Sequence, residues 1–201
     1  MRLFETRDEM VKALLSPGMS LVEIGVFEGE FAKVLLETKP ARLFLIDPWD
    51  GISISGDADG NNVKTVNLET VYYQLLQKYH GDEVVRLVRG RSPAALNAVS
   101  SSDSGWVDAV YIDGDHSYEG VRRDLLAANR LVRPGGYIMG HDYSMNMSKA
   151  KTQYDFGVKA AVDEFCEGHR YQLYAVAMDG CISYAIKIPE VEQLPFPEWG
   201  C

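Results

Sequence analysis

The sequence predicts an α/β fold, a mostly parallel sheet with helices on both faces that ends in an antiparallel C-terminal hairpin. Strand-like and helix-like periods alternate from Leu21 to Phe165, short Val-, Ile- and aromatic-rich runs being followed by segments whose apolar positions recur every three or four residues. That alternation marks a parallel sheet covered by helices. Beyond Phe165, two extended runs flank Asp179-Gly180, a strong hairpin signal. The first strand runs into a turn holding two glycines, Gly25 and Gly29, which suits a strand-to-helix crossover at a ligand-binding edge.

In chain order, the expected parallel strands are Ser20–Val26, Ala41–Ile46, Val84–Val88, Val107–Ile112 and Gly136–Met139, each bounded by Gly, Pro or charged residues. The clearest helix is Asn67–Tyr79, where Leu68, Val71, Tyr72, Leu75, Leu76 and Tyr79 keep a 3.6-residue period and His80-Gly81 supplies the stop. Another is expected over Val158–Phe165, and the hairpin over Tyr171–Met178 and Cys181–Ile188. Gly51–Thr65 and Ser144–Tyr154 fit neither period and read as long loops, which in a compact domain are usually functional lids or disordered. Pro189–Cys201, with three prolines, Phe196 and Trp199, reads as an extended tail packed on its own domain or on a neighbouring subunit of a homo-oligomer. No internal repeat or domain boundary interrupts the pattern, so residues 1–201 are expected to form a single domain.

At 201 residues and 46% hydrophobic, the chain can bury a core, which excludes global disorder. The formal charge of −9 disfavours sequence-independent attraction to nucleic-acid phosphates or anionic lipid, so a small molecule or a protein is the expected partner. Cys166, Cys181 and Cys201 form neither a C-x-x-C pair nor a common zinc spacing and read as reduced thiols. Glu5, Arg7, Asp8 and Glu9 stand where a signal peptide would need an apolar stretch, and no apolar run approaches a membrane span. A soluble, cytoplasmic protein is expected.

The glycine turn reads Glu23-Ile-Gly25-Val26-Phe27-Glu28-Gly29, and the dinucleotide pattern G-x-G-x-x-G fails because Phe27 and Glu30 occupy its second and third glycine positions. Glu28 and Glu30 at the following helix N-terminus would repel a pyrophosphate. S-adenosylmethionine, cationic and free of phosphate, meets these conditions, with Glu23 as the anchor for its ammonium. Asp47 lies 22 residues after Gly25, near the spacing of about 20 for a carboxylate that grips a ribose. In Asp47-Pro48-Trp49 the acid is expected to hold both ribose hydroxyls, with Trp49 beside the adenine. The plainer alternative is that the glycines only permit tight packing and Asp47 caps a loop.

Asp113-Gly-Asp115-His116-Ser117 follows the fourth strand and His141-Asp142 the fifth, so both reach the same carboxyl edge as the glycine turn. Asp113, His141 and Asp142 form an oxygen-and-nitrogen donor set suited to Mg²⁺ or another divalent cation. His116 has the intrinsic pKa of a general base for a hydroxyl acceptor. Asp115 or Ser117 also suits a helix cap.

Together, Val22-Glu-Ile-Gly-Val-Phe-Glu-Gly29, Tyr111-Ile-Asp-Gly-Asp-His-Ser-Tyr-Glu-Gly120, Leu131-Val-Arg-Pro-Gly-Gly136 and His141-Asp-Tyr143 resemble the class I S-adenosylmethionine-dependent methyltransferases, in the branch that includes macrolide-sugar O-methyltransferases. The resemblance implies a Rossmann-like sheet, O-methylation of a small hydroxylated acceptor, and a divalent cation held by Asp113 and the pair after the fifth strand. It implies His116 as base and places Asp113, Arg91 and Ser92 near the cofactor. It also implies that the loops at Gly51–Thr65 and Ser144–Tyr154 shape the acceptor site. The chain departs from the branch at His141, where a carboxylate is common. A regulatory protein that binds the same nucleoside without chemistry, and an NAD-linked oxidoreductase, are the competing readings; the failed glycine pattern counts against the second.

Overall fold

The computed structural model describes residues 1–55, 64–100, 106–143 and 157–190. Its parallel strands are β1 (Arg2–Phe4), β2 (Ser20–Ile24), β3 (Arg42–Asp47), β6 (Val85–Arg89), β7 (Val107–Ile112), β8 (Val132–Gly140) and β9 (Leu173–Ala177), with β10 (Ser183–Lys187) antiparallel to its neighbours. They form one sheet in the order β1-β9-β10-β8-β7-β2-β3-β6. The helices are α1 (Arg7–Leu14), α2 (Glu30–Glu37), α3 (Leu68–Lys78), α4 (Leu96–Ser100), α5 (Tyr118–Leu131) and α6 (Val158–His169).

The central strands are apolar along nearly their whole length because both sheet faces are covered. Leu43 and Leu45 of β3 point to one face with Tyr111 and Met139, where Met10, Leu14, Phe31, Leu35 and Leu75 of α1, α2 and α3 meet them. Val22, Ile24, Phe44, Ile46, Val110 and Ile138 face the other way, onto Leu96, Leu125, Ala128 and Val162 of α4, α5 and α6. Alternate residues of one strand thus belong to different apolar layers, the period-two pattern of a pleated sheet.

All five expected parallel strands and the hairpin are present, with Asp179 and Gly180 between β9 and β10 and Gly180 at φ +91°. The helix expected from Asn67 spans Leu68–Lys78, capped by the Asn67 side chain, which accepts the Thr70 N–H at 3.0 Å. The fifth strand begins earlier than expected, at Val132. Its register against β7 shifts between Val107 and Ala109, so the Pro134-Gly135-Gly136 turn bulges out of the ladder instead of preceding it. β1 and α1 are additions to the expected order. The first expected loop is in part a two-stranded ribbon, β4 (Ile52–Ser55) paired antiparallel with β5 (Lys64–Asn67). Residues 56–63, the second expected loop at 144–156 and the tail at 191–201 lie outside the described residues. Among the described residues Cys166 and Cys181 are free thiols, and no helix is long and apolar enough to cross a membrane.

Candidate functional site

The ends of five strands, β6, β3, β2, β7 and β8, are stitched to one another beyond the regular ladder. Gly25 N–H donates to Ile46 O at 2.9 Å, Asp113 N–H to Ile24 O at 2.8 Å, His141 N–H to Ile112 O at 3.2 Å and Gly90 N–H to Asp47 O at 2.9 Å. These bonds bring the predicted segments to one edge. Gly25 sits at φ +86°, and a Cβ there would lie 2.1 Å from Asp113 O. Only a glycine lets the turns after β2 and β7 touch in this way.

Asp47 organises the glycine turn. Its Oδ2 accepts the N–H groups of Val26 and Phe27, each at 3.0 Å, and its Oδ1 accepts Trp49 N–H at 2.7 Å. The expectation that Asp47 holds two ribose hydroxyls is therefore narrowed, because two backbone donors already occupy Oδ2 and only Oδ1 keeps a free lone pair. Phe27, at φ 52°, is 37% exposed at the turn's surface. Trp49 corrects its expectation outright: at φ 41° the chain turns its ring inward, where it is fully buried against Tyr72 and donates Nε1–H to Phe27 O at 3.0 Å. The ring braces the turn from beneath and presents no face to a ligand.

Charge at the turn also differs from the sequence argument. Glu28 is paired with Lys64 at 2.6 Å and Glu30 with Lys33 at 2.6 Å, so neither is the bare repulsive carboxylate assumed from the sequence. Arg91, after β6, pairs with exposed Asp50 at 2.8 Å, and Ser92 donates to buried Asp124 of α5 at 2.9 Å. Ser92 thus ties its loop to the helix layer.

The acid and histidine cluster forms as expected. One ligand atom each from Asp113, His141 and Asp142 lies within 4.8 Å of the others. His116 joins them: its Nε2 is 3.3 Å from Asp113 Oδ1 and 3.2 Å from Asp142 Oδ2. Two carboxylate oxygens and an imidazole nitrogen at that mutual reach fit a divalent cation of the Mg²⁺, Mn²⁺ or Zn²⁺ class. Asp142 adopts φ 62°, an uncommon conformation of the kind that gathers at functional sites. Burial opposes the charge on His116, yet its hydrogen bond to Asp113 and the charges of Asp142, Asp113 and Asp115 outweigh it and raise its pKa. Burial likewise opposes the charge of Asp142, and the hydrogen bond and charge of His141, with His116 and the Cys181 thiol, overcome it and lower the pKa. Ser117 is the cap of α5, accepting Gly120 N–H at 3.1 Å, which fixes the loop that carries His116.

Two features escape sequence reasoning or gain from the structure. Glu23, expected as a cofactor anchor, is 1% exposed with its Oε2 lacking any partner, and burial, with Asp113 nearby, pushes its pKa well above the usual carboxyl value. Arg7 of α1 was not singled out at all. Its Nη1 reaches Asp113 Oδ2 at 3.4 Å, and its guanidinium carbon lies 4.7 Å from the Phe31 ring centroid. Asp113 consequently shows one oxygen to Arg7 and the other to the histidines.

A search of curated proteins matches an uncharacterized protein of Acanthamoeba polyphaga mimivirus, 27% identical over 141 residues that cover 70% of this chain and 58% of the relative. The match thus spans little more than half of that relative's length. Among solved structures, the fold is shared with the O-methyltransferase from Bacillus cereus in complex with SAH (TM-score 0.60, 14% identity, 90% of this chain and 78% of that one). It is shared also with the N-methyltransferase NodS from Bradyrhizobium japonicum WM9 (TM-score 0.61, 13% identity, 92% and 95%), and with the O-methyltransferase TomG from Streptomyces achromogenes (TM-score 0.59, 15% identity, 90% and 77%). At such identities the likeness concerns the Rossmann-like fold alone. A family profile described as a methyltransferase domain matches residues 22–143, well over half the chain. By that match the chain belongs to this methyltransferase family.

Proposed function

We propose that the protein transfers a methyl group from S-adenosylmethionine to a hydroxyl of a small metabolite of the sugar or polyketide kind. One observation carries the reading: the backbone carbonyl of Asp113 abuts Gly25, while its carboxylate turns Oδ2 to Arg7 and Oδ1 into the cluster of His116, His141 and Asp142. The cofactor's cleft and the acid–base groups therefore meet at a single residue. The O-methyltransferase and SAH named for structural neighbours support the choice of cofactor and acceptor atom.

In this reading Gly25, Val26, Phe27, Glu28 and Gly29 border the cofactor, Asp47 offers Oδ1 to one ribose hydroxyl, and Glu23 faces the ammonium. S-adenosylmethionine supplies an electrophilic methyl, and a divalent cation held by Asp113, His141 and Asp142 supplies Lewis acidity and orientation. The acceptor oxygen would bond the methyl carbon as the carbon–sulfur bond breaks, the electron pair would stay on sulfur, and His116 would take up the hydroxyl proton.

Calorimetry tests the first half: S-adenosylhomocysteine should bind the full chain and NAD should not, and absence of S-adenosylhomocysteine binding ends the proposal. For the second half, His116→Ala should keep that affinity while losing about 10²- to 10⁴-fold in methyl transfer to a hydroxylated acceptor. Unchanged turnover would remove His116 from the chemistry.

A further inference from the structure

We propose that Arg7 receives the amino-acid carboxylate of the S-adenosyl cofactor beside the ammonium site at Glu23, so that the pair clamps the zwitterionic end of the ligand. The inference rests on the cofactor reading above and adds to it a residue outside the family match, which begins at residue 22.

The position of Arg7 is built. Thr6 caps α1 by accepting Glu9 N–H at 3.2 Å, and the Arg7 N–H donates to Asp179 Oδ2 at 2.9 Å in the turn between β9 and β10. The side chain then runs over the Phe31 ring, which itself packs on Tyr111. Its contact with Asp113 Oδ2, at 3.4 Å, is long for a charge-assisted bond, which closes to about 2.7–2.9 Å when well made. The guanidinium is oriented without being satisfied by that carboxylate.

Beside this loosely paired cation stands an unsatisfied buried acid, Glu23, in register with Tyr111 of β7. Glu23 Oε2 has no partner, and a buried polar atom in that state points to an external one. A zwitterion with adjacent ammonium and carboxylate answers both deficits. Among the described residues, the other cations of this edge are engaged farther along it: Lys64 with Glu28, Arg91 with Asp50, and Arg89 with Glu69 and the Tyr72 ring. A ligand carboxylate set down near Asp47 and Asp113 meets like charge unless an arginine offsets it, and a guanidinium fork suits a carboxylate better than an ammonium does.

The test compares two probes on the full chain by calorimetry: S-adenosylhomocysteine, which carries the amino-acid end, and 5′-methylthioadenosine, which lacks it. Arg7→Ala should weaken S-adenosylhomocysteine by about 10- to 100-fold, the scale of a charged hydrogen bond, and leave 5′-methylthioadenosine within about twofold. Arg7→Lys, which keeps charge without the fork, should fall between, and it carries the same comparison if Arg7→Ala does not fold. Unchanged S-adenosylhomocysteine affinity overturns the proposal, and so does parallel loss of both probes, which marks a structural role. A wild-type chain that binds neither probe overturns the cofactor reading itself, and this inference with it.

Discussion

At Gly25 the backbones after β2 and β7 come so close that a methyl group has no place, since a Cβ would stand 2.1 Å from a carbonyl oxygen and 2.4 Å from its carbon. Gly25→Ala combines that overlap with a positive φ, so it should cost more than about 2 kcal/mol, read as a lowered urea midpoint. Asp124 is the opposite case, an acid held at a cost. Burial raises its pKa to about 6, and the Ser92 hydroxyl only partly offsets this. Because the folded pKa lies above the ordinary value near 4, the folded state binds the proton more tightly, and stability falls as pH rises from about 4 through 6. Asp124→Asn should flatten that slope and stabilise the chain at pH 7 by on the order of 1–3 kcal/mol, measured by denaturation at pH 4.5 and 7. Residue identities at the edge were legible where the backbone dictates them, as for Gly25, Asp113, His141 and Asp142. They were not legible where orientation decides. Trp49 follows an acid in the place of an adenine platform, but its backbone turns the ring into the core. Arg7 sits among Glu5, Asp8 and Glu9, where one more charge reads as solvated surface.

Among the elements, α5 shows how a cap serves a site. Ser117 accepts Gly120 N–H, Asp115 accepts Ser117 N–H at 3.0 Å, and the Gly157 N–H at the start of α6 donates to His116 O at 2.9 Å. The loop bearing His116 is thus held from two helices. Ser117→Ala should cost about 1 kcal/mol of stability, the usual worth of such a cap, seen as a lower melting temperature. The sequence disclosed the long helices and central strands because their periods are sustained. It concealed β1, whose three residues are too few to show a period, and the ribbon of β4 and β5, whose alternating Ile52, Ile54 and Thr65, Asn67 are separated by Gly, Asp and Asn typical of loops.

For the molecule as a whole, the proposed ligand set of Asp113, His141 and Asp142 stands at the strand ends, outside both apolar layers. Chelator should therefore slow methyl transfer without unfolding the chain, and added Mn²⁺ should raise the melting temperature by mass action. Turnover and circular dichroism on one sample check the two halves; full activity in chelator removes the cation and leaves methyl transfer standing. The topology was readable from alternation because each crossover must carry a helix back over the sheet. The N-terminal pairing was not, since no local pattern announces a partner so distant. Arg2 lies beside Ala175, Leu3 beside Val176 and Phe4 beside Ala177. On a nascent chain β1 waits for β9 to be made before it can pair, and loops of such length close slowly. Arg7, whose N–H is held by Asp179 of the turn after β9, thus settles only once that turn exists.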